Sequence, residues 1–113
     1  MSNKIVSLSK NQDFKALLEG KKISNRYFTV FFRKLINKSK NNLNISFVVK
    51  KKLGNAVKRN KIKRRLKNIM NEAIKKIALN MKYSYLVIAK DSILNDGYNN
   101  IREALFVDFK KIK

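Results

Sequence analysis

The 113-residue chain has no cysteine, no histidine and no proline, and only three glycines. Without cysteine there is neither a disulfide framework nor a thiolate zinc site. Without histidine the commonest general base and the commonest metal ligand are both missing. Carboxylates are scarce as well. Asp13, Glu19, Glu72, Asp91, Asp96, Glu103 and Asp108 are scattered with no paired constellation, and Asp91 and Asp96, in one loop, read as solvated turn residues. Three glycines do not make a G-x-G-x-x-G or a G-x-x-x-x-G-K phosphate cradle. The chain therefore lacks the parts from which a protein-based active site is built, and no catalytic or metal-ligating residue is expected. No apolar run approaches the ~20 residues that span a bilayer. The N-terminal MSNKIVSLSK lacks the apolar core of a signal peptide, so a cytoplasmic protein is the expectation.

What is abundant is positive charge. Lysine and arginine number 28 against 7 acids, a net charge of +21. Self-repulsion of that size opposes a compact state, and a polyanionic partner is the usual reason for it. The lack of proline and the wealth of Lys, Asn and Ile fit AT-rich codon usage, so some of the lysine excess is drift. Where the charge sits is therefore more telling than its sum. The length suits one domain, residues 1–113, with a single modest core.

The placement is clearest in Lys50 to Glu72, KKKLGNAVKRNKIKRRLKNIMNE. From Val57 onward Ile62, Leu66, Ile69, Ala73 and Ile77 recur at three- and four-residue steps, the mark of one helical face. Lys61, Arg64, Arg65, Lys67, Asn68, Asn71 and Lys75 take the opposite arc. Asn55 stands at the N-cap, Gly54 permits the sharp exit from the preceding strand, and the helix dipole adds its positive end to the basic face. Lys58, Arg59, Asn60, Lys61, Lys63, Arg64, Arg65 and Lys67 are the candidate phosphate-binding residues. Lys61, Arg64 and Arg65 have no acidic neighbour at helical spacing, so a merely solvated face would repel itself.

In chain order, residues 1–8 form a basic lead. Ser9-Lys10-Asn11-Gln12 reads as a capping box, opening a helix through Phe14, Leu17 and Leu18 that stops at Gly20. Lys21 to Arg26 reads as a polar connection. Tyr27 to Ile36 has strand composition, with Phe28, Val30, Phe32 and Ile36 on one face and Tyr27, Thr29, Phe31 and Arg33 on the other. The second set is either packing beneath the first helix or a stacking wall for unpaired bases. Asn37 to Asn42 is a polar loop, short enough for an antiparallel hairpin into a strand at Leu43 to Lys51. Leu43, Ile45, Phe47 and Val49 face its core; Asn44, Ser46, Val48 and Lys50 face away. The basic helix follows, ending near Asn80 to Lys82. Tyr83 to Ala89, YSYLVIA, is the near-continuous apolar run of a central strand. After a loop from Lys90 to Gly97, a last helix from Tyr98 to Ile112 puts Ile101, Leu105, Phe109 and Ile112 on one stripe. The order is αββαβα, an α/β (α+β) sandwich with a small mixed sheet and a strand–helix–strand crossover.

The run KKLGNAVKRNKIKRRLK resembles the signature of the bacterial ribonuclease P protein subunit, G-N-A-V-x-R-N-R-x-K-R. Gly54, Asn55, Ala56, Val57, Arg59, Asn60, Lys63 and Arg64 match, and Lys61 stands where the family has its second arginine. The likeness extends over nearly the whole chain: Lys10…Asp13-Phe14 is similar to the family's first helix, and Asn25-Arg26 and the aromatic strand follow at the expected distance. The resemblance implies a fold like ribosomal protein S5 domain 2, with a left-handed βαβ crossover against the general rule. It implies a protein that accompanies a catalytic RNA, in a 1:1 complex, in removing the 5′ leader of precursor tRNA. The RNA does the hydrolysis with magnesium (Mg2+), which the RNA mainly holds. The basic helix, Asn55 included, would dock on that RNA. A cleft between the first helix and the sheet would take the leader, using Lys10, Phe14, Leu18, Tyr27, Thr29, Phe31, Val48 and Lys52. Without the resemblance, a basic structural protein such as a ribosomal protein, or a nucleic-acid chaperone, fits the same charge. A membrane-surface helix fits less well, because the apolar stripe is moderate and aromatics beside it are sparse.

Overall fold

The computed structural model describes residues 5–8, 10–35 and 42–112. A sheet of five strands carries helices on both faces: β1 (Ile5–Val6), α1 (Asn11–Leu18), β2 (Lys21–Ser24), β3 (Phe28–Arg33), β4 (Leu43–Val48), α2 (Ala56–Lys76), β5 (Ser84–Ala89) and α3 (Tyr98–Lys111). The strand order is β1-β4-β5-β3-β2. β4 runs parallel to β5 and β3 antiparallel to it.

β5 takes the middle because both of its faces are apolar. Tyr85, Val87 and Ala89 are buried towards α2 and α3, and Leu86 is buried towards α1. A strand that must be covered on both sides loses least at the centre of a sheet. This displaces the expected hairpin: β3 and β4 flank β5 and do not pair with each other. Residues 37–41 of the loop between them, and Ile36, lie outside the described residues.

Two further expectations change. The stretch Lys21–Arg26 is not a plain connection, because Lys21–Ser24 pairs antiparallel with β3, Lys22 opposite Phe31 and Ser24 opposite Thr29. The N-terminal lead contributes β1, parallel to β4, and Ser46 on β4 holds it: the Leu8 N–H donates to Ser46 Oγ at 2.8 Å. Hence there are five strands among the described residues, not three.

The main core lies between the sheet and the pair α2/α3. Phe28, Val30, Leu43, Ile45, Leu66, Ile69, Leu105 and Phe109 are all within 1% of full burial, and each such side chain contributes roughly 1.5–3 kcal/mol. Tyr85 packs on Phe109 with ring centroids 5.0 Å apart, and its hydroxyl donates to the Asn80 carbonyl at 2.6 Å. α2 ends at Lys76, earlier than its periodicity predicts. Ile77 turns extended (φ −129°, ψ 157°), and Ile77, Leu79 and Met81 pack on the core from that segment instead.

A smaller cluster on the other face has Leu8, Leu17 and Leu86 buried, with Phe14, Phe31, Leu35, Val48 and Ile88 partly covered. α1 is only eight residues long, too short to roof the whole face. Its N-cap is Lys10, with no side-chain cap bond; Ser9 of the expected capping box lies outside the described residues. Gly20 follows the helix for a steric reason, since a Cβ there would sit 2.8 Å from the Phe32 carbonyl oxygen.

Candidate nucleic-acid interface

α2 begins as its sequence dictates. Asn55 Oδ1 accepts from the Lys58 N–H at 2.9 Å, which satisfies one of the free amides of the first turn. Gly54 sits at φ +145°, a conformation side-chain-bearing residues rarely adopt, and an added Cβ would meet the Lys58 side chain at 2.9 Å. The Asn55 side-chain oxygen is thus committed to the helix. Ile62, Leu66, Ile69, Met70 and Ala73 face the core, leaving Lys58, Asn60, Lys61, Lys63, Arg64, Arg65 and Lys67 exposed. Arg59 is half-buried, and its Nε is enclosed without a hydrogen-bond partner among the described residues. A buried donor of that kind costs stability unless something accepts from it. Val57, beside it, is 78% exposed.

The predicted cleft is present as two adjoining depressions on the partly roofed face of the sheet. Thr29, Phe31 and Lys52 come together in one, with Lys50, Ile88 and Lys90. Phe14 and Val48 line the other, and with them stand Lys63, Arg64 and Lys67 of α2. Phe14, Phe31, Val48 and Ile88 belong to one apolar cluster, which joins the two. Register explains the grouping: Thr29 lies opposite Ile88 on β5, and Ile88 opposite Val48 on β4. The floor is apolar and half-open, and the walls are cationic. One acid intrudes, Asp91, whose Oδ1 lies 3.7 Å from Lys52 Nζ between two exposed side chains.

Three expected members do not join this floor. Tyr27 precedes β3, where the chain still bends, so it lies in the main core on the opposite side, and its hydroxyl donates to Asp96. That bond, first, and burial raise the Tyr27 phenol above its ordinary value; the same bond, with those from Asn100 and the Gly97 N–H, holds the Asp96 carboxyl below its own against the opposing effect of burial. Asp96 is therefore a structural acceptor and not a solvated turn residue; Asn100 donates to it as well, at 2.6 Å. Leu18, on the last turn of α1, is 50% exposed and lines neither depression. Lys10 is exposed at the α1 N-cap and also lines neither.

The sequence reading passed over Ile88, because a continuous apolar run hides which of its residues face which side. It also passed over Lys90, which follows β5 directly. Lys90 Nζ donates to Ser24 Oγ at 2.7 Å and to the Asn25 carbonyl at 2.6 Å, so it also ties the rim to the edge strand. Lys50 was legible from alternation with Val48.

Among the described residues no group of three carboxylates could hold a metal ion, and no helix is long and apolar enough to cross a membrane. Glu72 is engaged between helices: it accepts from Arg102 Nε at 2.7 Å and from the Tyr98 hydroxyl at 3.2 Å.

Comparison with known proteins places this geometry. The ribonuclease P family profile matches residues 2–113. The chain is 36% identical over 115 residues to the ribonuclease P protein component of Carboxydothermus hydrogenoformans, covering 98% of this chain and 94% of the relative. It is 36% identical over 99 residues to that of a Streptococcus pneumoniae strain, covering 87% and 76%. Its fold is similar to the RNase P protein of Thermotoga maritima, with a TM-score of 0.78 at 28% identity over 96% of this chain and 98% of the other. The Staphylococcus aureus RNase P protein gives 0.76 at 30% identity, over 94% and 93%. With a match from end to end and the same mixed sheet carrying three helices, the chain belongs to the ribonuclease P protein family.

Proposed function

We propose that this chain is the RNA-binding subunit of a ribonuclease P, which binds the catalytic RNA and the 5′ leader of precursor tRNA and so promotes endonucleolytic 5′ maturation of tRNA. One observation carries the reading. The floor of Phe14, Phe31, Val48 and Ile88 lies open between cationic walls, and unpaired bases stack on such a floor while their phosphates meet the walls. A paired helix has no free base faces to offer it. The exposed cations of α2 neutralise RNA phosphates and release counterions.

The seven acids are scattered along the sequence and histidine is lacking, and in this reading hydrolysis belongs to the RNA. Magnesium in this reading is held mainly by the RNA. The subunit contributes binding and charge screening, in a 1:1 complex in the cytoplasm. The deciding experiment is cleavage of precursor tRNA at low magnesium by a bacterial ribonuclease P RNA, with and without this protein. Stimulation supports the reading; equal rates overturn it and favour a general RNA-binding protein.

A further inference from the structure

The basic arc of α2 divides into two flanks that face different surroundings. Lys63, Arg64 and Lys67 share a depression with Phe14 and Val48. Lys61 and Arg65 lie on the other side of the helix axis, ~160–200° away from Lys63 at the helical step. Their flank leads along the helix to Glu72, two turns beyond Arg65, which meets Tyr98 and Arg102 of α3. One flank thus overlooks the open floor, and the other looks outward beside α3.

We propose that the two flanks serve two RNAs: Lys63, Arg64 and Lys67 hold phosphates of the leader lying on the floor, and Lys61 and Arg65 hold phosphates of the folded catalytic RNA. The division rests on the functional reading above. A strand whose bases lie on Phe14 and Val48 carries its phosphates along the rim. Lys63 and Lys67, one turn apart, have Cβ atoms about 5–6 Å apart, so their flexible side chains reach neighbouring phosphates of an extended strand. A folded RNA, already stacked internally, gains nothing from the floor and is met by the outward flank, where phosphates alone are read. The basic helix thereby takes part in distinguishing precursor from product as well as in assembly.

The test uses the reconstituted holoenzyme and two double variants, Lys63→Gln with Lys67→Gln, and Lys61→Gln with Arg65→Gln. Affinities are measured for the catalytic RNA, for a precursor tRNA with a single-stranded leader, and for the same tRNA without it. The first pair should lower the preference for precursor over mature tRNA about tenfold at low salt, and its salt slope by ~1.4, or ~0.7 per lost contact to a single strand. Catalytic-RNA affinity should stay unchanged, and Lys63→Arg with Lys67→Arg should retain the preference. The second pair should show the converse. If both pairs weaken both affinities alike, or the first weakens only catalytic-RNA binding, the division is wrong while the leader cleft stands. If the unmodified protein shows no preference for precursor, the leader reading fails and takes the division with it.

Discussion

Glu72 Oε2 accepts a hydrogen bond from Arg102 Nε at 2.7 Å, and this pair ties α2 to α3. Tyr98 donates to the other carboxylate oxygen, Lys76 approaches to 3.9 Å, and Arg102 also lies over the Phe106 ring, 4.7 Å from its centroid. Glu72 is the sole acid on a helix that carries nine of the chain's cations, so its place is specific.

Glu72→Gln should therefore lower the melting temperature near neutral pH. The Arg102 hydrogen bond, above all, holds the Glu72 carboxyl below its ordinary value of 4.5. A depressed folded value stabilises above the unfolded pKa and is lost as pH falls through the folded one. Melts from pH 7 down to pH 3 should show the gap between the two proteins closing in acid. A gap independent of pH would mean that the charge on Glu72 contributes nothing.

The α2 start gives a second expectation. Asn55→Ala removes the acceptor for the Lys58 N–H and should cost ~1 kcal/mol. Gly54→Ala forces a Cβ into φ +145° and against Lys58, at a cost of about 1–3 kcal/mol. Denaturant titration measures both; equal stability of Gly54→Ala and the parent would contradict the positive φ.

Removing a ring from the floor should be felt by the precursor alone. Phe14→Ala or Phe31→Ala is expected to weaken precursor tRNA binding by ~1–3 kcal/mol per stacked base, with mature tRNA little affected. Tyr27→Phe, which leaves the floor intact, should not change that preference. Equal losses for the two tRNAs in the ring variants would remove the floor from leader recognition.

At the alkaline end, burial pushes the Tyr85 phenol well above its ordinary value of 10. Above pH 10 the unfolded chain releases this proton while the folded one keeps it, so stability falls as pH rises towards the folded value. Tyr85→Phe should flatten that part of the stability curve, at the cost of the bond to the Asn80 carbonyl, worth about 1 kcal/mol. Parallel curves for the two proteins between pH 9 and 11 would count against burial as the cause.

Much of this was legible in the residues. The helical faces of α2 and α3, the Asn55 cap, the Gly54 break and the central strand all follow from patterns within single segments. Ile101, Leu105, Phe109 and Ile112 are buried as their stripe requires. The edge strands were not legible: β1 has two residues and β2 reads KKIS. Such strands gain their stability from hydrogen bonds to a neighbour already in place and need no apolar alternation of their own. Tyr27 was misplaced for a related reason. Period-2 alternation was carried one residue beyond the strand, into a bend where it no longer holds.

By itself the sequence determined which segments are helix or central strand, where α2 starts, and that one of its faces is cationic, because these depend on local spacing and capping. Only the tertiary structure decided which cations stand beside which rings. β5 enters between β3 and β4, and that insertion lines up Thr29, Ile88 and Val48 across three strands. The packing of α2 against the sheet brings Lys63 and Lys67 to the same floor. Those neighbours are far apart in the chain, and no local pattern encodes a distance that strand order sets.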